Sequence, residues 1–291
     1  MKSVAVSGNI VADILVRPFE EVRWGASQWV DALAVSLGGN GANTAYTLAR
    51  LGTPVRLAGA VGSDEFGALC LAKLRDGGVN VDGVDVIPGE SAATVALVRA
   101  NGERMFLHRP GASLAALAEP LSWREGTAHY HLASPFALPR HRPHVAECLR
   151  RAKAAGLTTS LDTQWDPQGL WMETLAPALP WVDVLFVNHL EAARLTASDE
   201  RDEQARILLG AGAGMVVLKQ GPGGASLYTH SGVAHVAAPD VPVVDTTGAG
   251  DAFAGAWIDA WLRGADPVEA MRRASDVAGS VIQHMGAVGG L

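Results

Sequence analysis

Asp245-Thr246-Thr247-Gly248-Ala249-Gly250-Asp251 is a short glycine-bearing turn that runs into an apolar segment, AFAGAWIDAWL, over residues 252–262. Phe253, Trp257 and Trp261 recur every fourth residue, with Ala254 and Ile258 beside them. That spacing predicts a helix with a broad apolar face. The first turn of a helix carries N–H groups without intrahelical partners, and the helix dipole is positive there. Gly248-Ala249-Gly250 therefore reads as an anion cradle that a phosphate can approach closely. An acid beside such a cradle would repel an anion that merely bound. It makes sense as a base that takes the proton from a hydroxyl attacking the bound phosphate, which makes Asp251 the candidate general base. An N-terminal acid opposing the helix dipole gives the same letters.

Working outward, Val4–Ile10, Val55–Val61, Thr158–Asp162, Val182–Asn188 and Met215–Lys219 read as buried strands, mostly followed by helical patterns. The alternation predicts an α/β fold: a Rossmann-like three-layer core whose mainly parallel sheet is covered by helices on both faces. Residues 12–36 and 91–109 break the rhythm, with strand patterns and no intervening helix. Asn101-Gly102 is a hairpin signal in the second. In the first, Asp31, Leu33, Val35 and Leu37 share one face, opposite Ala32, Ala34 and Ser36. These two stretches predict a small β-sheet lid, leaving 1–11, 37–90 and 110–291 as the core; two surface excursions would give the same pattern.

Composition narrows the class. A chain of 291 residues with 48% hydrophobic and 18% charged residues can fill a large core and leaves little room for disordered tails. Its formal charge of −7 argues against a nucleic-acid surface. No apolar run reaches the roughly 18 residues of a membrane helix, and no signal peptide precedes the first strand. Cys70 and Cys148 form no metal-ligand pattern and read as buried thiols in a cytoplasmic protein.

A second glycine-rich entry, Leu37-Gly38-Gly39-Asn40-Gly41-Ala42-Asn43, leads into a helix ended by Gly52. It permits close backbone approach to a ligand, and Asn40 and Asn43 suit hydroxyls; a tightly packed, asparagine-capped helix start is the alternative. Asp13 lies just past the first strand, at the edge where open α/β sheets bind ligands, and can accept from two vicinal hydroxyls. Asn188 and Glu191 stand one helical turn apart, suited either to a hydrated Mg²⁺ or to a capping box. Gly221, Gly223 and Gly224 form a strand–turn–strand against which a nucleotide can lie. The P-loop, the dinucleotide glycine fingerprint, the nucleophile elbow and the zinc-protease motif are all absent from the sequence.

In this order, GGNGANTAYTLARLG near the start and DTTGAGDAFAGAW near the end resemble the ribokinase-like (PfkB) carbohydrate kinases across essentially the whole chain. The resemblance implies transfer of the ATP γ-phosphoryl group to a hydroxyl of a small sugar or polyol, with a nucleoside as the rival acceptor and a catalytically silent binder as a third reading. It implies Asp251 as base and Gly248, Ala249 and Gly250 as anion hole. Asp13, Gly39 and Asn43 would hold acceptor hydroxyls. Asn188 and Glu191 would serve Mg²⁺ and the phosphates, with Glu191 acting through water. Lys219, Gly221 and Gly224 would border ATP. Asp245 and Thr247 fit a loop that binds a monovalent cation such as K⁺ in many relatives, and lid-to-lid homodimers are common. Arg109, at the lid exit, either reaches an anionic group on the acceptor or is a surface arginine. Trp24, Trp29 and Phe106 either wall a nucleobase or pack a lid or dimer interface. The segment Asp162-Thr163-Gln164-Trp165-Asp166-Pro167 departs from the family pattern and receives no substrate contact, and little chain follows Gly286-Ala287 to cover an adenine.

Overall fold

The computed structural model describes residues 2–100, 104–119 and 121–291. The first half contains β1 (Ser3–Ser7), β2 (Val11–Arg17), β3 (Ala32–Gly38), α1 (Asn40–Arg50), β4 (Val55–Gly62), α2 (Glu65–Asp76), β5 (Asn80–Ile87), β6 (Ala92–Val98) and β7 (Arg104–Arg109). It continues with β8 (Thr127–Ala133), α3 (Val145–Ala154), β9 (Thr158–Asp162), α4 (Met172–Leu175), β10 (Val184–Asn188), α5 (His189–Thr196) and α6 (Arg201–Gly210). The last part holds β11 (Met215–Lys219), β12 (Ala225–Thr229), β13 (Gly232–Val236), α7 (Ala249–Leu262) and α8 (Pro267–Val281).

Strand β10 explains the layering. Its side chains alternate across the sheet: Val184 and Phe186 join one apolar cluster with residues of α1, α2, α7 and α8. Leu185 and Val187 join a second cluster with residues of α3, α4, α5 and α6. A strand buried on both faces must be apolar at every position, which is why VLFVN shows no polar alternation. The nine strands run in the order β13-β12-β11-β10-β9-β8-β1-β4-β5. All neighbours are parallel except β12 and β13, which form an antiparallel edge. This is the expected parallel α/β core.

A separate four-stranded sheet, β3-β2-β6-β7, stands beside it. Strands β2 and β6 are parallel, while β3 and β7 flank them antiparallel. Register places Asp13, Leu15, Ser36, Ala34, Thr94, Ala96, His108 and Phe106 on one face. The other face carries Ile14, Val16, Leu33, Val35, Val95, Leu97, Met105 and Leu107, all apolar. The apolar face of β3 points outward: Leu33 and Val35 are exposed, whereas Ala32, Ala34 and Ser36 are half-buried. The Asn101-Gly102 turn lies outside the described residues. No helix among the described residues is long and apolar enough to cross a membrane.

Candidate active site

The two glycine-rich helix entries meet. Helix α7 starts at Gly248, whose φ of 74° is a left-handed conformation that a side chain disfavours, and a Cβ there would collide with Ala287. Helix α1 starts at Gly39, with φ 93° and no side-chain cap. Asn40 and Asn43 therefore do not cap their own helix. Each donates through Nδ2 to the Asp251 carboxylate, Asn40 to Oδ1 and Asn43 to Oδ2, both at 2.8 Å. The contact spans more than two hundred residues of chain, so no local pattern could have announced it. Burial pushes the Asp251 carboxyl up, while Asn43, the Lys219 ammonium and Asn40 pull it back towards the charged form. The two amides also fix the direction in which the carboxylate points, which is what a base needs before a substrate arrives. Asn43 Oδ1 is itself buried and has no protein partner among the described residues.

At the same helix start, the N–H groups of Gly248 and Gly250 have no protein partner among the described residues, and that of Ala249 makes only a 3.4 Å bond to Thr246 O. Lys219 lies against this cradle: a Cβ on Gly250 would sit 3.2 Å from its Nζ. The ammonium is held by both oxygens of Asp162, at 2.7 and 2.8 Å. Burial works against the Lys219 charge, but Asp162, Glu191 and Asp251 outweigh it and raise its pKa. Asp162 is pushed up to about 7, by burial against the opposing pull of Lys219. No local pattern marks Asp162, because its partnership with Lys219 is a contact between the ends of β9 and β11.

Lys219, Gly221, Gly224, Thr246, Ala249 and Gly250 form the polar end of a cavity of about 510 Å³. Its other walls are mostly apolar, with Pro239, Val241, Val243, Ala278 and Ile282 beside Asp240 and Ser275. A phosphate-binding end joined to an apolar slot is the shape a nucleotide requires. Asn188 and Glu191 form a full capping box at the start of α5, and Glu191 Oε2 also accepts from Thr163 Oγ1 at 2.7 Å. Burial raises the Glu191 carboxyl. No group of three or more His, Cys, Asp or Glu side chains among the described residues could cage a metal.

Asp13 projects from the lid onto the same site. It is buried, and its carboxyl is pushed up to about 7 by burial and by the nearby Asp251 and Asp245 charges, against a hydrogen bond from Thr94. Asp13, Gly39, Asn43 and Asp251 are thus brought together. Arg109 is drawn elsewhere. Its guanidinium meets Glu90 at 2.8 Å and the Ser91 carbonyl at 3.2 Å, and lies 3.8 Å from Asp64. It would have to leave these partners to meet an anionic acceptor.

The donor set considered for K⁺ is occupied by protein groups. Asp245 Oδ1 accepts from Thr247 N at 2.9 Å and Thr247 Oγ1 at 2.7 Å, and Oδ2 accepts from Gly286 N at 2.9 Å. Arg104 Nη1 lies 3.6 Å from Asp245 Oδ1 and also donates to Thr247 Oγ1 at 3.1 Å. Two of these hydrogen bonds engage Oδ1 and one engages Oδ2, so a cation would compete at Oδ1 with the Thr247 donors and with the Arg104 charge.

A buried carboxylate at a glycine-rich helix start, with a nucleotide-sized slot beside it and a small sheet above, suits a phosphotransferase that uses a hydroxyl as acceptor. The pfkB family carbohydrate kinase model matches residues 1–291. The ATP-dependent ribose-1-phosphate kinase of Halopiger xanaduensis is 32% identical over 279 residues, covering 94% of this chain and 90% of the relative. Fructokinase-1 of Oryza sativa subsp. japonica is 33% identical over 232 residues, covering 75% of this chain and 72% of the relative. The Arabidopsis thaliana ribokinase complexed with ribose and ATP superposes with a TM-score of 0.84 and 25% identity, over 99% of this chain and 95% of that one. The chain belongs to the PfkB family of carbohydrate kinases.

Proposed function

We propose that this chain transfers the γ-phosphoryl group of Mg²⁺·ATP to a hydroxyl of a small sugar or sugar phosphate, with Asp251 as general base. The observation that carries the reading is the Asp251 carboxylate, held by Asn40 and Asn43 at the mouth of an unpartnered helix start. Asp251 takes the proton as the acceptor oxygen attacks phosphorus. The N–H groups of Gly248, Ala249 and Gly250 stabilise the charge on the moving group, and such donors contribute about 10²–10³-fold each. Asp13 and Gly39 position acceptor hydroxyls. The orphaned Asn43 Oδ1 needs a donor, and an acceptor hydroxyl supplies one. Lys219, Gly221 and Gly224 border the triphosphate. Bound Mg²⁺ would neutralise phosphate charge, with Asn188 and Glu191 reaching its water shell. A metal is called for because Asp13, Asp162, Glu191, Asp245 and Asp251 all crowd a phosphate site whose interior cation is Lys219.

A nucleoside acceptor is favoured by one observation: Phe106 and His108 stack 5.8 Å apart on the lid face that carries Asp13, where they could flank a base. The test is ADP release with Mg²⁺·ATP against ribose 1-phosphate, ribose, fructose, sugar acids and nucleosides, with Asp251→Asn in parallel. Turnover on a sugar or sugar phosphate that Asp251→Asn lowers by about 10²–10⁴-fold is the expected result. Turnover confined to nucleosides would move the acceptor class, and a folded protein that turned over nothing would favour a silent binder.

The outer lid face supports a lid-to-lid homodimer. Leu33, Val35, Met105 and Leu107 are exposed there, and Trp24 and Trp29 are 94% and 97% exposed in the intervening segment. Contiguous apolar surface of this kind marks an interaction site. We assign 12–36 and 91–109 to that lid and the rest to the core, and place the enzyme in the cytoplasm with its ATP. Sedimentation of Leu33→Asp as a monomer, where the parent is a dimer, is the expected outcome.

A further inference from the structure

The lid grips the core through arginines. Arg17 of β2 donates through Nη1 to Val244 O at 3.0 Å. Arg104 of β7 donates to the hydroxyls of both Thr246 and Thr247, and its guanidinium stands 3.6 Å from Asp245. All four core partners belong to the segment that leads into the anion cradle. Asp245 is the knot of that segment, because its two oxygens tie Thr247 and Gly286 together directly before Gly248.

A buried carboxylate in that position needs a counter-charge, since Asp13 lies close enough to feel its field. Lys219 is held by Asp162. The side chain that faces Asp245 is Arg104, about one quarter exposed against a carboxylate that is almost fully covered. A pair with one buried member is screened less by solvent than an exposed one. The guanidinium also offers several donors in a fixed plane, which lets it donate to both threonine hydroxyls while its charge faces the carboxylate.

We propose that Arg104 is a positioning residue: carried on the lid, it supplies the cation that Asp245 requires and so shapes the anion hole only when the lid is down. This rests on the reading of Gly248–Gly250 as that hole. Two consequences follow. The cradle is assembled by closure, which ties phosphoryl transfer to the presence of an acceptor under the lid and limits transfer to water. The enzyme also works without a monovalent cation, because the Arg104 charge already stands 3.6 Å from the carboxylate.

The experiment uses the full chain and its best acceptor from the substrate panel, in potassium chloride and in choline chloride of equal ionic strength. Wild-type kcat should be the same in both salts. Arg104→Ala should lower kcat by about 10–100-fold, as expected of a residue that acts through the placement of oxyanion donors, with a smaller change in KM. Arg104→Lys should recover part of the loss. Hydrogen exchange of the amides of residues 246–250 should quicken in Arg104→Ala relative to wild type. A wild-type kcat in Arg104→Ala, an exchange rate left unchanged by that substitution, or a wild-type enzyme that gains activity from potassium would each overturn the proposal. If wild type turns over no acceptor, the kinase reading of the site fails instead, and the exchange comparison still decides whether Arg104 orders the loop.

Discussion

The core half of the site and the lid half are built differently. In the core, charged groups are buried and directed by fixed partners: Asp251 by two asparagines, Lys219 by Asp162. In the lid, Asp13 is buried on the site, but the side-chain hydrogen bonds that reach the segment before the cradle come from two long arginines, Arg17 and Arg104. Buried pairs held by packing keep one geometry, whereas contacts from an edge strand can open at modest cost. The comparison assigns chemistry to the core and the timing of that chemistry to the lid.

Breaking the Lys219–Asp162 pair tests the core side most severely. Lys219→Met leaves a buried carboxyl without its cation, and removing one partner of such a pair costs about 3–5 kcal/mol. Urea unfolding should show that loss, and Asp162→Asn in the same chain should return part of it. A Lys219→Met protein of unchanged midpoint would mean that the pair contributes little to the rigidity attributed to the core.

Asn43→Ala sharpens the comparison through pH. In the proposed role Asp251 acts deprotonated, so kcat/KM should rise with pH through the Asp251 pKa of the free enzyme. The hydrogen bond from Asn43 favours the charged carboxylate, and its removal raises that pKa further. The acid limb of the profile should therefore move to higher pH, with kcat lowered about tenfold or more by the lost orientation. An acid limb that stays in place would show that Asn43 does not tune the base.

Asp13→Asn gives the smallest stability effect. The Asp13 carboxyl, pushed up to about 7, is penalised as an anion above that pH. The folded pKa lies above the unfolded one, so this group favours folding while protonated and opposes it as pH rises through about 7. At pH 8 the amide should raise Tm by about 2–4 °C while acceptor KM rises. A fall in Tm would mean that its hydrogen bonds outweigh its desolvation.

What the sequence disclosed follows the same division. Helix α7 and its acid were legible because apolar spacing and the glycine turn are local patterns, and the buried strands were legible because parallel sheets demand continuous apolar runs. Pairings across the fold were not: nothing in the sequence near Asn40 and Asn43 points to Asp251. Arg104 carried no signal, since an arginine on a hairpin is ordinarily a solvated one. Leu33 and Val35 show a further limit. Alternation identifies which residues share a face but not what covers it, and here the small side chains turn inward.

The union of α1 with α7 also has a consequence in time. Asn43 and Asp251 are separated by 208 residues. At about 5–20 residues per second, the ribosome delivers Asp251 roughly 10–40 s after Asn43. Through that interval no nascent chain owns both the base and the amides that aim it. A chain that stops short of Asp251 therefore presents the two amides with no carboxylate to hold.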